Sequence, residues 1–202
     1  MDGQYTMADL ITDRTQADVN YALQLNAAGW AGMTAEQKSD WLAGLKGAYN
    51  YTDLNRVTDA VDYIAGEFQS YGYSVSVTPI NITHPDGTVS TVWQDSDIPT
   101  SQQLDTYLAN IQALGNVISL SEGTPDLPES MAVLTYVAAN NIEQLLIDIS
   151  TALQNIAASF LYSAQPLLYS GFAIYTATIR KRLYDSILRA LNTSDGKALY
   201  VR

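Results

Sequence analysis

The stretch Tyr51-Thr-Asp-Leu-Asn55-Arg-Val57-Thr-Asp-Ala-Val61-Asp-Tyr-Ile64 decides the fold, because the chain repeats it. The copy, Tyr136-Val-Ala-Ala-Asn140-Asn-Ile142-Glu-Gln-Leu-Leu146-Ile-Asp-Ile149, stands 85 residues further on. Tyr51 matches Tyr136, Asn55 matches Asn140, and three aliphatic positions follow at the same offset. In both copies the aliphatic residues recur at helical spacing, which predicts one buried helix face in each. The offset extends upstream, where Thr15-Gln-Ala-Asp-Val19 matches Thr100-Ser-Gln-Gln-Leu104. Each opens a helix with a Thr N-cap. A duplicated packing unit points to a scaffold. Nothing catalytic repeats with it.

Around the first copy, Thr15 caps a helix with Val19, Ala22 and Leu23 on one face, and Gly29 ends it. Thr34-Ala-Glu-Gln37 is a capping box for a helix carrying Trp41, Leu42 and Leu45, with Gly47 as its stop. Thr52 is the expected cap of the third helix. Its stripe is Leu54, Val57, Val61, Ile64 and Phe68, and Gly72 closes it. Residues 73–93 switch to period two: Tyr73–Val77 and Thr88–Trp93 alternate about the turn His84-Pro-Asp-Gly87, which predicts a β-hairpin.

The second unit carries a stripe of Leu104, Tyr107, Leu108, Ile111 and Leu114. A Pro-containing loop, Thr124–Pro128, follows. A long helix then carries Ile142, Leu145, Leu146, Ile149, Leu153, Ile156 and Phe160. Beyond Tyr162 the pattern fades into strand formers over Tyr169–Ile179. A short basic helix around Leu183–Leu191 and a terminal strand at Lys197–Val201 complete the reading. The fold class is therefore mainly α with β additions. Two duplicated small helical units, 1–72 and 94–160, are separated by a β-hairpin at 73–93 and followed by a C-terminal α/β extension at 161–202.

At 202 residues the chain suffices for one large domain or two small ones, and 47% hydrophobic residues suffice for a core. It has no Cys, so disulfides and thiolate chemistry are excluded. Charge is segregated. Residues 1–179 hold four basic side chains (Arg14, Lys38, Lys46 and Arg56) against 19 acidic ones, a net −15. Residues 180–202 hold six basic and two acidic, a net +4. Such a body repels phosphate, so no nucleic-acid partner is expected. The segment Met1–Asp9 has no basic and apolar signal-peptide pattern. The sequons at Asn50, Asn81 and Asn192 carry no weight without secretion. The uncharged run Ser150–Ile179 before Arg180-Lys-Arg imitates a membrane span. Gln154, Asn155, Gln165 and Pro166 interrupt it, and buried protein is the better reading. No membrane association is expected.

The string Asp13-Arg-Thr-Gln-Ala-Asp-Val-Asn-Tyr-Ala, then Gly32-Met-Thr-Ala-Glu, then Trp41-Leu-Ala-Gly-Leu-Lys-Gly-Ala-Tyr-Asn-Tyr-Thr-Asp-Leu-Asn-Arg-Val57, carries a resemblance. So do Trp93, Asp97-Ile-Pro-Thr100, Tyr107-Leu-Ala-Asn110, Pro128-Glu-Ser-Met131, Leu134-Thr-Tyr136 and Asn140-Asn-Ile-Glu143. Over residues 8–160 the chain resembles a module in tail and minor structural proteins of bacteriophages and prophages of Gram-positive gut bacteria. The resemblance implies a non-enzymatic virion role in the tail, baseplate or fibre attachment. It implies self-association and contact with other virion proteins. The last 40 residues fall outside it.

Candidate sites are sparse. His84, the single histidine, reads as a turn residue with no partner base or nucleophile in view. A zinc site lacks ligands. Asp95-Ser-Asp97 lacks the Gly and distal Glu of a calcium loop. Asp59 and Asp62, one turn apart, read as solvated. No cofactor is expected. Trp41 reads as core, whereas exposed Trp30, Trp41 and Tyr51 would offer a stacking platform for a host cell-wall glycan. A carbohydrate-binding module is thus the alternative function, and a glycan-degrading enzyme a weaker third. Asn55 and Asn140 read as backbone ligands. The basic, strand-forming tail is the expected assembly interface, through Tyr169, Phe172, Tyr175, Arg180, Lys181, Arg182 and Arg189.

Overall fold

A computed structural model of the chain describes residues 7–163, with side chains through 159. The expected tail strands, tail helix and assembly residues lie outside the described residues. The chain divides into two compact units, residues 1–154 and 155–202. Of the second, only the part of its helix through Ser163 is described. The described elements are α1 (Gln16–Gly32), α2 (Ala35–Ala43), α3 (Tyr51–Ser70), β1 (Ile82–Thr83), β2 (Val89–Ser90), α4 (Ser101–Gly115) and α5 (Tyr136–Ser163). A single 3-10 turn, Met7–Asp9, precedes them. Among the described residues the protein is mainly helical, with one small antiparallel sheet.

The 85-residue offset holds in three dimensions. The starts of α1 and α4, and of α3 and α5, coincide under it. Thr15 and Thr100 both close capping boxes. Seven buried positions also correspond: Leu54 with Ala139, Val57 with Ile142, Ala60 with Leu145, Val61 with Leu146, Ile64 with Ile149, Ala65 with Ser150 and Phe68 with Leu153. Thus the two long helices bury the same face. Yet the two units do not enclose separate cores. One cluster draws on α3, α4 and α5 together, with Leu10, Ile80, Ile82 and Trp93 from the connecting segments.

Helix ends follow local chemistry, with two corrections. Asn50, not Thr52, caps α3: its Oδ1 accepts the Thr52 N–H at 2.8 Å, and Asp53 accepts the Asn50 N–H at 2.9 Å. Asn fits because its short carboxamide reaches the orphan amides. Likewise α2 stops at Ala43, where Gly44 takes φ 92°, rather than at Gly47. Gly29, expected to end α1, breaks it at φ 62°, but helical residues resume and run to Gly32. At the far end of α3, the Tyr73 N–H bonds to the Phe68 carbonyl and the Gly72 N–H to the Gln69 carbonyl. This is a Schellman closure, sealed by the edge-on Phe68–Tyr73 ring contact at 5.6 Å.

The hairpin exists but is short. Ile82 pairs with Ser90 and Thr83 with Val89. The His84 carbonyl accepts the Gly87 N–H, closing the expected turn. Residues 73–77, expected as a strand, form no ladder. Their half-buried Tyr73, Val75 and Val77 pack on the helical core instead, so period two here reports burial of one side without a strand partner.

The sharpest departure is the α1–α2 pair. α1 buries Ala22 and Leu25, α2 buries none, and the shared core takes no described residue from either. Leu23, expected on the buried face, is exposed. The apolar residues of α1 lie all round the helix, so no single phase was encoded. The Tyr21 hydroxyl of α1 donates to Asp40 of α2 at 2.7 Å, and the segment after α2 packs closely on the α1 backbone. A Cβ at Gly47 would lie 2.0 Å from the Asp18 carbonyl oxygen, so only glycine fits there.

Candidate functional site

Three side-chain arrangements in the described unit carry chemistry. The first is a buried quartet of charges. Arg14 bonds to Asp53 at 2.8 Å and to Glu143 at 2.5 Å. Arg56 bonds to Asp53 and, at 2.9 Å, to the same Glu143 oxygen. Glu143 is fully buried and also accepts the Ile11 N–H at 2.5 Å. Two cations thus face two anions, so the net charge cancels, and every carboxylate oxygen has donors. Burial pulls the Arg56 guanidinium downward, but bonds to Glu143 and Asp53 outweigh it and hold the group firmly charged. The Arg14 guanidinium lies 5.4 Å over the Tyr49 ring. The Tyr49 and Tyr107 hydroxyls meet at 2.5 Å, and burial pushes both phenols well above their ordinary value. None of the four charges was assigned from sequence. The available signal was Glu143, an acid one turn from Ala139 and Leu146 on an apolar face.

The second arrangement uses carboxamides as clamps. The Asn55 side chain bonds both backbone groups of Trp93, at 2.9 and 2.8 Å. Asn140 does the same to Arg14, at 3.0 and 2.9 Å. Both therefore bind backbone, as expected from sequence. The grip is reciprocal: the first copy's α3 holds the segment leading to α4, and the second copy's α5 holds the segment leading to α1. Asn110 clamps Thr78 in the same manner.

The third arrangement corrects the reading of His84. The residue is buried rather than a plain turn residue, and it has partners. One ring nitrogen meets Asp97 at 2.9 Å and the other meets the Ser90 hydroxyl at 2.8 Å. Burial pushes the Asp97 carboxyl up, but the His84 bond and the Gln94 N–H more than offset this and hold it below the usual aspartate value. Order and distances match a nucleophile, base and orienting acid. However, the Ser90 hydroxyl is also bonded to both backbone groups of Val92. The cavities beside α3, α4 and α5 are lined by other residues. The cluster therefore acts as a latch between the hairpin and the segment entering α4. Its Asp97 is the second acid of Asp95-Ser-Asp97. Among the described residues, no three His, Asp or Glu side chains gather to hold a metal.

Asp59 and Asp62 are exposed, as expected, though partial desolvation raises both carboxyls and the Asp62 charge adds to the rise at Asp59. Trp41 is corrected: it is 39% exposed, with Trp30 at 52% and Tyr51 at 39%. Lys38 sits 5.4 Å over the Trp30 ring. No described helix is long and apolar enough to cross a membrane. Comparison with protein-family models, curated proteins and solved structures finds no match for this chain.

Proposed function

We propose that this chain is a structural component of a bacteriophage particle, in the tail, baseplate or fibre attachment, and works as a multimeric scaffold. The observation that carries the reading is the α1–α2 pair. The body closes its own core without this pair, while Leu23, Trp30, Trp41 and Leu42 stay 60%, 52%, 39% and 76% exposed. Large apolar side chains left in water on a structured arm mark an interaction surface. The duplicated frame and the resemblance to phage structural modules supply the biological setting. Replacing Leu23, Trp30, Trp41 and Leu42 by Ser should abolish self-association and leave the thermal melt of the body unchanged. Undiminished assembly by the fourfold variant would refute the arm as the contact surface.

The exposure of Trp30, Trp41 and Tyr51 also favours a second reading, a glycan-binding module for attachment to the host surface. Aromatic faces in water stack on the apolar faces of sugars. Screening the intact protein against cell-wall glycans tests it, and absence of binding removes it.

A further inference from the structure

Residues 73–77 alternate as a strand does: Tyr73, Val75 and Val77 pack on the helical core, while Ser74 and Ser76 are exposed. Yet no backbone N–H or C=O of Ser74, Val75, Ser76 or Val77 bonds to a described residue. A row of free donors and acceptors beside a packed face is a template for one more strand. Charged side chains usually guard such an edge, but Tyr73–Thr83 carries none.

At Val77 the edge runs into a groove of about 270 Å³, lined by Thr58, Val61 and Asp62 of α3 and by Val77, Thr78 and Ile80. Asp62 and, one turn away, Asp59 are exposed carboxylates. The four described cations are engaged elsewhere: Arg14 and Arg56 with Asp53 and Glu143, Lys46 with Asp13, and Lys38 over Trp30. Edge and groove together fit an extended, uncharged segment that ends in positive charge. This chain's own sequence holds such a segment outside the described residues. Tyr169–Ile179 is uncharged and rich in strand formers, and Arg180-Lys-Arg follows it directly. Pairing of the edge with the same edge of a second copy would bring no cation to Asp59 and Asp62. We infer that Tyr169–Ile179 of a neighbouring copy adds as a strand to residues 73–77. Running parallel, with Ile179 level with Val77, it carries Arg180-Lys-Arg past the edge to Asp62. Backbone bonds supply the grip, and the opposite charges fix direction and register. The inference rests on the multimeric-scaffold reading and adds a contact distinct from the α1–α2 arm.

Charge reversal in the full chain, read by sedimentation, tests it. Asp59→Lys with Asp62→Lys, and separately Arg180→Glu with Lys181→Glu and Arg182→Glu, should each weaken self-association at least tenfold. An equimolar mixture of the two variants should restore it, because each tail then meets a groove of opposite charge on the other chain. Since the protein has no Cys, Ser76→Cys mixed with Thr178→Cys should also give a disulfide-linked heterodimer. Thermal melts establish that each variant is folded, and if a charge-reversed variant is not, the cysteine pair decides. A wild-type chain that stays monomeric overturns the scaffold reading and this inference together. A multimer indifferent to both reversals, no repair on mixing, or Ser76→Cys linking only to itself overturns the strand pairing and leaves the α1–α2 arm standing.

Discussion

Glu143→Gln removes one charge from the quartet and keeps its shape. Wild-type Glu143 accepts from the Ile11 N–H, from Arg14 and twice from Arg56. Glutamine offers one carbonyl oxygen and an NH₂, so one of the two oxygen positions becomes a donor facing donors. Arg14 and Arg56 then share Asp53 alone, leaving one buried positive charge unmatched. Breaking a buried ion pair from one side costs about 3–5 kcal/mol. That agrees with losing about two charge-assisted hydrogen bonds at about 1.5–3 kcal/mol each. For a domain of this size the melting temperature should fall by roughly 6–20 °C. Urea unfolding followed by far-ultraviolet circular dichroism reads the change. Adding Arg56→Gln restores neutrality, so the double variant should cost at least about 1 kcal/mol less than the sum of the singles. A single variant within about 0.5 kcal/mol of wild type, or strict additivity, would refute the quartet as an electrostatic unit.

Gly47→Ala should destabilise by about 3 kcal/mol, since its Cβ meets the fixed Asp18 backbone, whereas Gly66→Ala has open space and should stabilise the α3 helix by about 0.5–1 kcal/mol. Chemical denaturation of the pair checks the sign of each. Asn55→Ala and Asn140→Ala should each cost about 2 kcal/mol, because each strands a backbone N–H and C=O, and clearly unequal costs would undercut their equivalence. Asp97 has a depressed pKa, so its contribution is complete above the ordinary aspartate value of about 3.9 and fades as pH falls through its lower folded value. The stability gap between wild type and Asp97→Asn should therefore shrink on acidification below about pH 4, and a gap independent of pH would contradict the latch.

The parts of the fold visible in the sequence are those set by local periodicity and capping. Thr15, Thr34 and Thr100 cap their helices, Gly72 closes α3, and the apolar stripe of α3 and that of α5 from Ile142 to Leu153 are buried as read, while Ile156 is half-buried and the Phe160 side chain lies outside the described residues. Their equivalence under one offset was visible because packing constrained the same spacing twice. Less visible was anything decided by distant partners. Arg14 meets Glu143 across 129 positions, and nothing local marks either as a partner. Trp41 looks like core because it shares an apolar helix face with Leu45, but α2 buries none of its residues. The latch was missed for a related reason: the turn around His84 could be read, whereas the return of Asp97 to it depends on the path of residues 91–97.

The central claim is that the chain is built to assemble, and its mass in solution tests this most directly. Sedimentation of the full 202-residue protein over rising concentration should show a closed multimer, a whole-number multiple of the 22.0 kDa chain, that dissociates on dilution. A single 22.0 kDa species at every concentration would contradict the account.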